Sequence, residues 1–248
     1  MSFNIVKSED LIKEMKEVDS FIAKGIEDLD KNIENMKKFS SEQLKKAYEY
    51  KVGAICDALI QMCETMIYTR EAFVEAVKLY EEEMGEEDTA TEVYEIGVAK
   101  QVKAYAQTVA GKYRGKFPTQ EDVEELAESI YQFDSESSQI IKNIYEYSNK
   151  DIEALSTEQF IAQKHEKRKD AISFIDLCNS KKAELLKEIQ EYEAPWFDKD
   201  DVAVYVEEAK QHFALADMCI CYTYGLLNMQ DQKLKEYFMA AAEEKGDN

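Results

Sequence analysis

The chain has 248 residues, 45% of them hydrophobic, which is enough apolar material for a continuous core in one large domain or two small ones. Its 52 acidic and 31 basic residues give a formal charge of -21. That is the wrong sign for a phosphate backbone or an anionic bilayer, so no nucleic acid and no membrane insertion are expected, and a protein partner is favoured.

Only 8 glycines and 2 prolines punctuate the chain. Between these breaks apolar residues recur at three- and four-residue spacing, so the expected fold class is all-α: an elongated antiparallel bundle of about seven mostly long helices. The first is expected over 9–38, on a seam of Leu11, Met15, Val18, Ile22, Ile26, Leu29, Ile33 and Met36. Phe39-Ser40-Ser41-Glu42-Gln43-Leu44 reads as a serine cap with Gln43 at N3 and an apolar pair able to staple across it. The second helix, 41–84, keeps one register from Leu44 and Tyr48 through Leu59 and Phe73 to Val77 and Tyr80. Unbroken, it is a rod of about 65 Å; Gly53 and Tyr68-Thr69-Arg70 are the places for a bend.

A third helix over 90–110 is capped by Thr89 with Glu92, is rich in small residues (Gly97, Ala99, Ala104, Ala106, Ala110) and is closed by Gly111. The fourth, 120–148, opens on Thr119 with Asp122. The fifth, 157–192, opens on Leu155-Ser156-Thr157-Glu158-Gln159-Phe160 and is stopped by Pro195. The sixth, 199–229, opens on Asp198 with Asp201 and a Phe197–Val202 staple, and a short seventh covers 232–244. The reading is of a single domain over 1–248, with a subdivision into 1–150 and 151–248 as the alternative.

The chemistry is sparse. Residues 1–10 lack the basic and apolar regions of a signal peptide, and Cys56, Cys63, Cys178, Cys219 and Cys221 all fall inside helical patterns. Packed, reduced thiols in a cytoplasmic protein are expected, with signal-independent secretion as the alternative. His165 and His212 have alanines (Ala162, Ala209) where a di-iron bundle needs glutamates. Cys219 and Cys221 point to different helix faces, and Cys56 and Cys63 lie two turns apart. Gly111-Lys112-Tyr113-Arg114-Gly115-Lys116 lacks the length and final hydroxyl of a phosphate loop. The acidic runs Glu81-Glu82-Glu83 with Glu86-Glu87-Asp88, and Asp198-Lys199-Asp200-Asp201, do not match a calcium loop. No catalytic residue, metal or cofactor is expected.

Two features stand out from this background. Lys164, Lys167, Arg168 and Lys169 concentrate positive charge on an acidic chain and are the candidate contact for an acidic partner. The stretch 213–229 is apolar nearly all round, which asks for burial on every side, yet it contains Asp217. Asp217 and His212 are therefore the candidate buried polar groups, and Asp217 needs a hydrogen-bond partner or a shifted pKa.

Leu44-Lys45-Lys46-Ala47-Tyr48, followed by Ala58-Leu59-Ile60-Gln61-Met62 and then Phe73, Val77 and Tyr80, resembles the long-helix region of LXG-type domains over roughly residues 1–150. These are helical N-terminal modules of type VII secretion substrates, related in style to the WXG hairpins. The resemblance lies in helix order and apolar rhythm, with Lys46 where the namesake glycine belongs. It implies a secreted substrate or a partner of that machinery. The chain is also similar to 14-3-3 adaptors in length and acidity, with Ala47-Tyr48 and Gly53-Ala54 at the spacing of their third helix. The phosphopeptide arginines of that family would fall on Ile55 and Cys56, so that site does not carry over. The expected function is a non-enzymatic helical interaction or scaffold protein, open to homo-oligomerisation. Alternatives are an LXG-like secretion component, a 14-3-3-like adaptor without the arginines, and a small all-α enzyme.

Overall fold

A computed structural model describes residues 7–84, 89–149 and 157–246, with side chains placed at 7–80, 89–149 and 166–240. Among the described residues the protein is all-α, with no strand. The elements are α1 (Ser8–Val18), α2 (Ser20–Lys38), α3 (Glu42–Met84), α4 (Ala90–Tyr113), α5 (Gln120–Tyr131), α6 (Ser135–Ser148), α7 (Thr157–Tyr192) and α8 (Lys199–Gly246).

Among the described residues eight helices stand where about seven are expected from the sequence, because two long patterns are cut and the last two are joined. The first pattern breaks at Asp19, which leaves the helical region at φ -151 and ψ 108. Its N–H closes α1 on the Met15 carbonyl at 2.7 Å, while its carboxylate accepts the N–H groups of Phe21 at 2.8 Å and Ile22 at 3.0 Å, capping α2. Asp134 does the same between α5 and α6, accepting from the Ser137 N–H at 2.8 Å and from its hydroxyl at 2.7 Å. In both places an aspartate–serine step breaks the helix without disturbing the apolar period. The expected sixth and seventh helices are one element, α8, since nothing in Gln230-Asp231-Gln232 removes a backbone donor.

Several caps shift as well. The serine that caps α3 is Ser41, whose hydroxyl accepts from the Leu44 N–H at 3.3 Å. Gln43 is released to donate to Glu125 instead. Thr119 and Asp122 form the full reciprocal capping box at α5. Thr89 starts α4 without a side-chain bond. α4 continues past Gly111 to Tyr113, and the left-handed residue is Gly115, at φ 77. Asp198 accepts from the Asp200 N–H at 3.0 Å at the start of α8. α3 runs unbroken past Gly53 and Arg70; of its expected seam Val77 is buried, but Phe73 and Tyr80 are exposed, and Val74, outside that register, is buried. The Ser156 cap and the acidic run 81–88 lie outside the described side chains.

The chain divides into two compact units, Met1–Ser40 with Val52–Arg114, and Ser41–Lys51 with Gly115–Asn248. In the first, α1, α2, α4 and the C-terminal part of α3 close on an aliphatic core. Leu11, Met15, Ile26, Leu29, Val52, Leu59, Val98 and Val102 are fully buried there, and Ala99 and Ala106 let the backbone of α4 sit close to its neighbours. Ion pairs surround that core: Arg70–Glu95 at 2.6 Å, Lys100–Glu71 at 2.8 Å and Arg114–Asp57 at 2.8 Å.

In the second unit, α5, α6 and α7 pack on α8, joined by the first turns of α3. Every residue from 216 to 230 except Tyr224 is buried, so the apolar run of α8 forms the centre of this unit. Gly225 is required there: a Cβ on it would lie 2.8 Å from Tyr50 Cβ and 2.9 Å from Pro118 Cδ.

Candidate interaction surface

The two carboxylates buried in the second unit, Asp122 and Asp217, are each occupied by side chains from other helices. Asp217, carried into the centre of the unit by α8, accepts from the Tyr48 phenol on one oxygen and from the Lys182 ammonium on the other. Lys182 in turn lies over the Phe213 ring, 4.8 Å from its centroid. A charge that burial would penalise is thus neutralised by an ion pair and a neutral donor drawn from α7 and α3. Asp217, singled out by the sequence, receives its partners, and both lie far away along the chain.

A second node of the same construction was not visible in the sequence, where Asp122 reads only as part of a cap. Its carboxylate accepts from Lys46 at 2.5 Å, from Tyr50 at 3.0 Å and from the Thr119 N–H at 2.9 Å. Burial pushes this carboxyl up, but the Lys46 ammonium and the bonds from Thr119 and Tyr50 overcome it and hold Asp122 at about 2. Tyr50 is pushed well above the phenol range by burial and by Asp122, and its ring meets Tyr222 edge-on at 5.4 Å. Tyr48 and Tyr50, two residues apart on α3, therefore each bring a hydroxyl to a buried aspartate that also holds a lysine. The thiols are interior groups: burial raises Cys221 to about 12, and the Cys178 thiol and burial together raise Cys219.

The expected basic cluster is partly consumed inside the fold. Arg168 donates to both carboxylate oxygens of Asp231, at 2.8 and 3.1 Å, tying α7 to α8. Lys167 pairs with Asp170 at 3.1 Å, Lys169 is exposed, and Lys164 lies outside the described side chains. His212 is half-buried and stacks on Phe133, ring centroids 4.3 Å apart. Among the described residues, no group of three or more His, Cys, Asp or Glu could hold a metal ion.

Large apolar side chains are exposed in both units, among them Tyr68, Leu79 and Tyr131; those at the turn between α7 and α8 gather into a ring cluster. After Tyr192, Pro195 cannot continue the helix, and the chain turns back with the Phe197 N–H on the Ala194 carbonyl at 3.2 Å before Asp198 starts α8. Val202 and Ala209 face inward from α8, which leaves Val204 and Tyr205 on the outside. Tyr192 stacks on Tyr205 with centroids 5.9 Å apart and meets the Phe197 ring edge-on at 5.9 Å. Beside them Trp196 is 79%, Val204 72% and Tyr205 56% exposed. Burial raises the Tyr192 phenol, and the carboxylates of Glu188 and Glu191 raise it further, so the rings stand among negative charge. In the sequence this segment reads as a helix stop at Pro195 and a Phe197–Val202 staple. The signal available was the chain's one tryptophan beside a phenylalanine, directly after a proline.

Comparison of the chain with family models, with curated proteins and with solved structures finds no match. No helix among the described residues is long and apolar enough to cross a membrane.

Proposed function

We propose that this is a non-enzymatic helical interaction protein that engages a protein partner through the turn between α7 and α8. The supporting observation is the exposed aromatic surface there: Trp196, Phe197, Val204 and Tyr205 leave large apolar area in water on a strongly charged chain. Contiguous exposed apolar area of this kind marks contact sites, and tryptophan and tyrosine are the residues that most often anchor them. The buried polar chemistry is consistent with this role. Asp217 and Asp122 have their oxygens occupied by donors from neighbouring helices, which suits holding α3, α5, α7 and α8 in place better than turning over a substrate.

The test is affinity capture from the native cell with the wild-type chain and with the double variant Val204→Ser/Tyr205→Ala, both checked for helicity by circular dichroism. The expected result is a defined partner retained by the wild type and lost by an equally helical variant. Equal capture by both proteins contradicts the proposal.

A further inference from the structure

We infer that the partner seated on the α7–α8 turn is a cationic amphipathic helix, a segment with Lys or Arg along one flank and large apolar side chains along the other. This inference rests on the proposed interaction role and names the chemistry of its partner.

Charge makes the first selection. Residues 188–208 carry eight acidic side chains and a single basic one, Lys199. A second copy of this chain, with its formal charge of -21, would bring the same field to the same surface and be repelled. Anionic bilayers and nucleic acids are disfavoured in the same way. A basic segment is attracted, and attraction of this sort speeds encounter and sets orientation.

The rings make the second selection. Tyr192, Tyr205 and Phe197 form a connected cluster with Trp196 in the same turn and Val204 next along α8. Their faces accept cation–π contacts from Arg or Lys, and their edges and Val204 accept apolar side chains. A segment that is only basic satisfies the carboxylates and leaves the rings wet. An amphipathic helix presents anchors at three- and four-residue spacing on one face and keeps its charges on the flank, so it satisfies both.

The chain supplies its own reporter, because Trp196 is its one tryptophan. The test titrates the full chain with three synthetic, tryptophan-free peptides and follows Trp196 emission. The peptides are an amphipathic helix of leucine and lysine, a shuffled peptide of the same composition without segregated faces, and the first peptide with glutamate for every lysine. The leucine–lysine helix is expected to give a saturable blue shift, weakened about tenfold in high salt as exposed charges are screened. Val204→Ser/Tyr205→Ala, which leaves the charge unchanged, is expected to weaken it about tenfold as anchor contacts are lost.

Equal binding of the shuffled peptide, or unchanged binding to the double variant, overturns the inference, since plain charge attraction then explains the signal. A blue shift that grows with protein concentration in the absence of peptide overturns it in favour of a second copy. If the glutamate helix binds at the turn and the lysine helix does not, the partner chemistry falls while the interaction role stands. The interaction role itself falls only if capture survives the double variant.

Discussion

The two units of this protein are built on opposite plans. In the first, the core is aliphatic. Asn32 is the one buried polar side chain among its described residues and is satisfied locally, donating to the Asp28 carbonyl at 2.6 Å. Its ion pairs ring the core, from the open Lys100–Glu71 to Arg114–Asp57, whose carboxylate is 14% exposed, and Tyr105 donates to Asp30 at its margin. In the second, Asp122, Asp217, Thr223, Asn228 and Gln230 are buried, and the aspartates are reached by lysines and tyrosines from other helices. An aliphatic core tolerates a lost surface pair, because exposed pairs contribute little. A core built on buried ion pairs loses stability when one member of a pair is removed, but it fixes which helix faces which. The exposed aromatic turn belongs to the second unit, where positions are set by directional bonds rather than by volume alone.

The strongest challenge to this contrast is Asp217→Ala. It removes the carboxylate that the Lys182 ammonium and the Tyr48 hydroxyl both reach and is expected to cost about 3–5 kcal/mol, as for other broken buried pairs. Hydrogen exchange should quicken in α5 to α8 and stay unchanged in α1, α2 and α4. Equal loss of protection in both units would show that they melt as one body and that the contrast has no energetic meaning.

The next effect is a pH dependence confined to the second unit. Asp122 is held at about 2, below its ordinary 3.8. A carboxyl depressed on folding contributes stability that is complete above its unfolded value and is lost as pH falls through the folded one. The window is therefore from just above pH 4 down to about pH 2, and the stability lost is on the order of 2 kcal/mol. Denaturant titrations across this range should show the loss in the wild type, and a clear reduction of it in Asp122→Asn, which stays destabilised throughout. An identical acid limb in both proteins would place the titrating group elsewhere.

The smallest effect belongs to the first unit. Lys100→Gln removes a pair whose side chains are 57% and 52% exposed, and is expected to change stability by less than about 1 kcal/mol. A larger loss on chemical denaturation would mean that the surface pairs of this unit carry more of its stability than its aliphatic core allows.

The fold class was legible because so few glycines and prolines interrupt a helical apolar period. Asp19 and Asp134 escaped because an aspartate cap breaks a helix without breaking that period, so the seam continues across both sites. Asp217 was visible as a charge inside an apolar run, whereas its partners Tyr48 and Lys182 were not, being 169 and 35 residues away. Asp122 was hidden by its capping role, and the lysine and tyrosine that reach it arrive from 76 and 72 residues away. The basic cluster was legible as charge, but its pairing with Asp231 depends on α7 meeting α8. The aromatic turn left a local signal in Pro195-Trp196-Phe197, yet exposure is a property of the packed structure: Val204 and Val202 are the same residue type two positions apart, one exposed and one buried.

The most direct measurement of the central claim is photo-cross-linking in the native cell, with a photoreactive phenylalanine analogue placed at position 204 on the aromatic turn or at position 68 in the first unit. Both sites are strongly exposed, at 72% and 74%, so they differ in surroundings and not in access. The result expected is an adduct from position 204 alone, mapping to a lysine- or arginine-rich helical segment of one partner. Adducts from position 68 with none from position 204 would contradict the account.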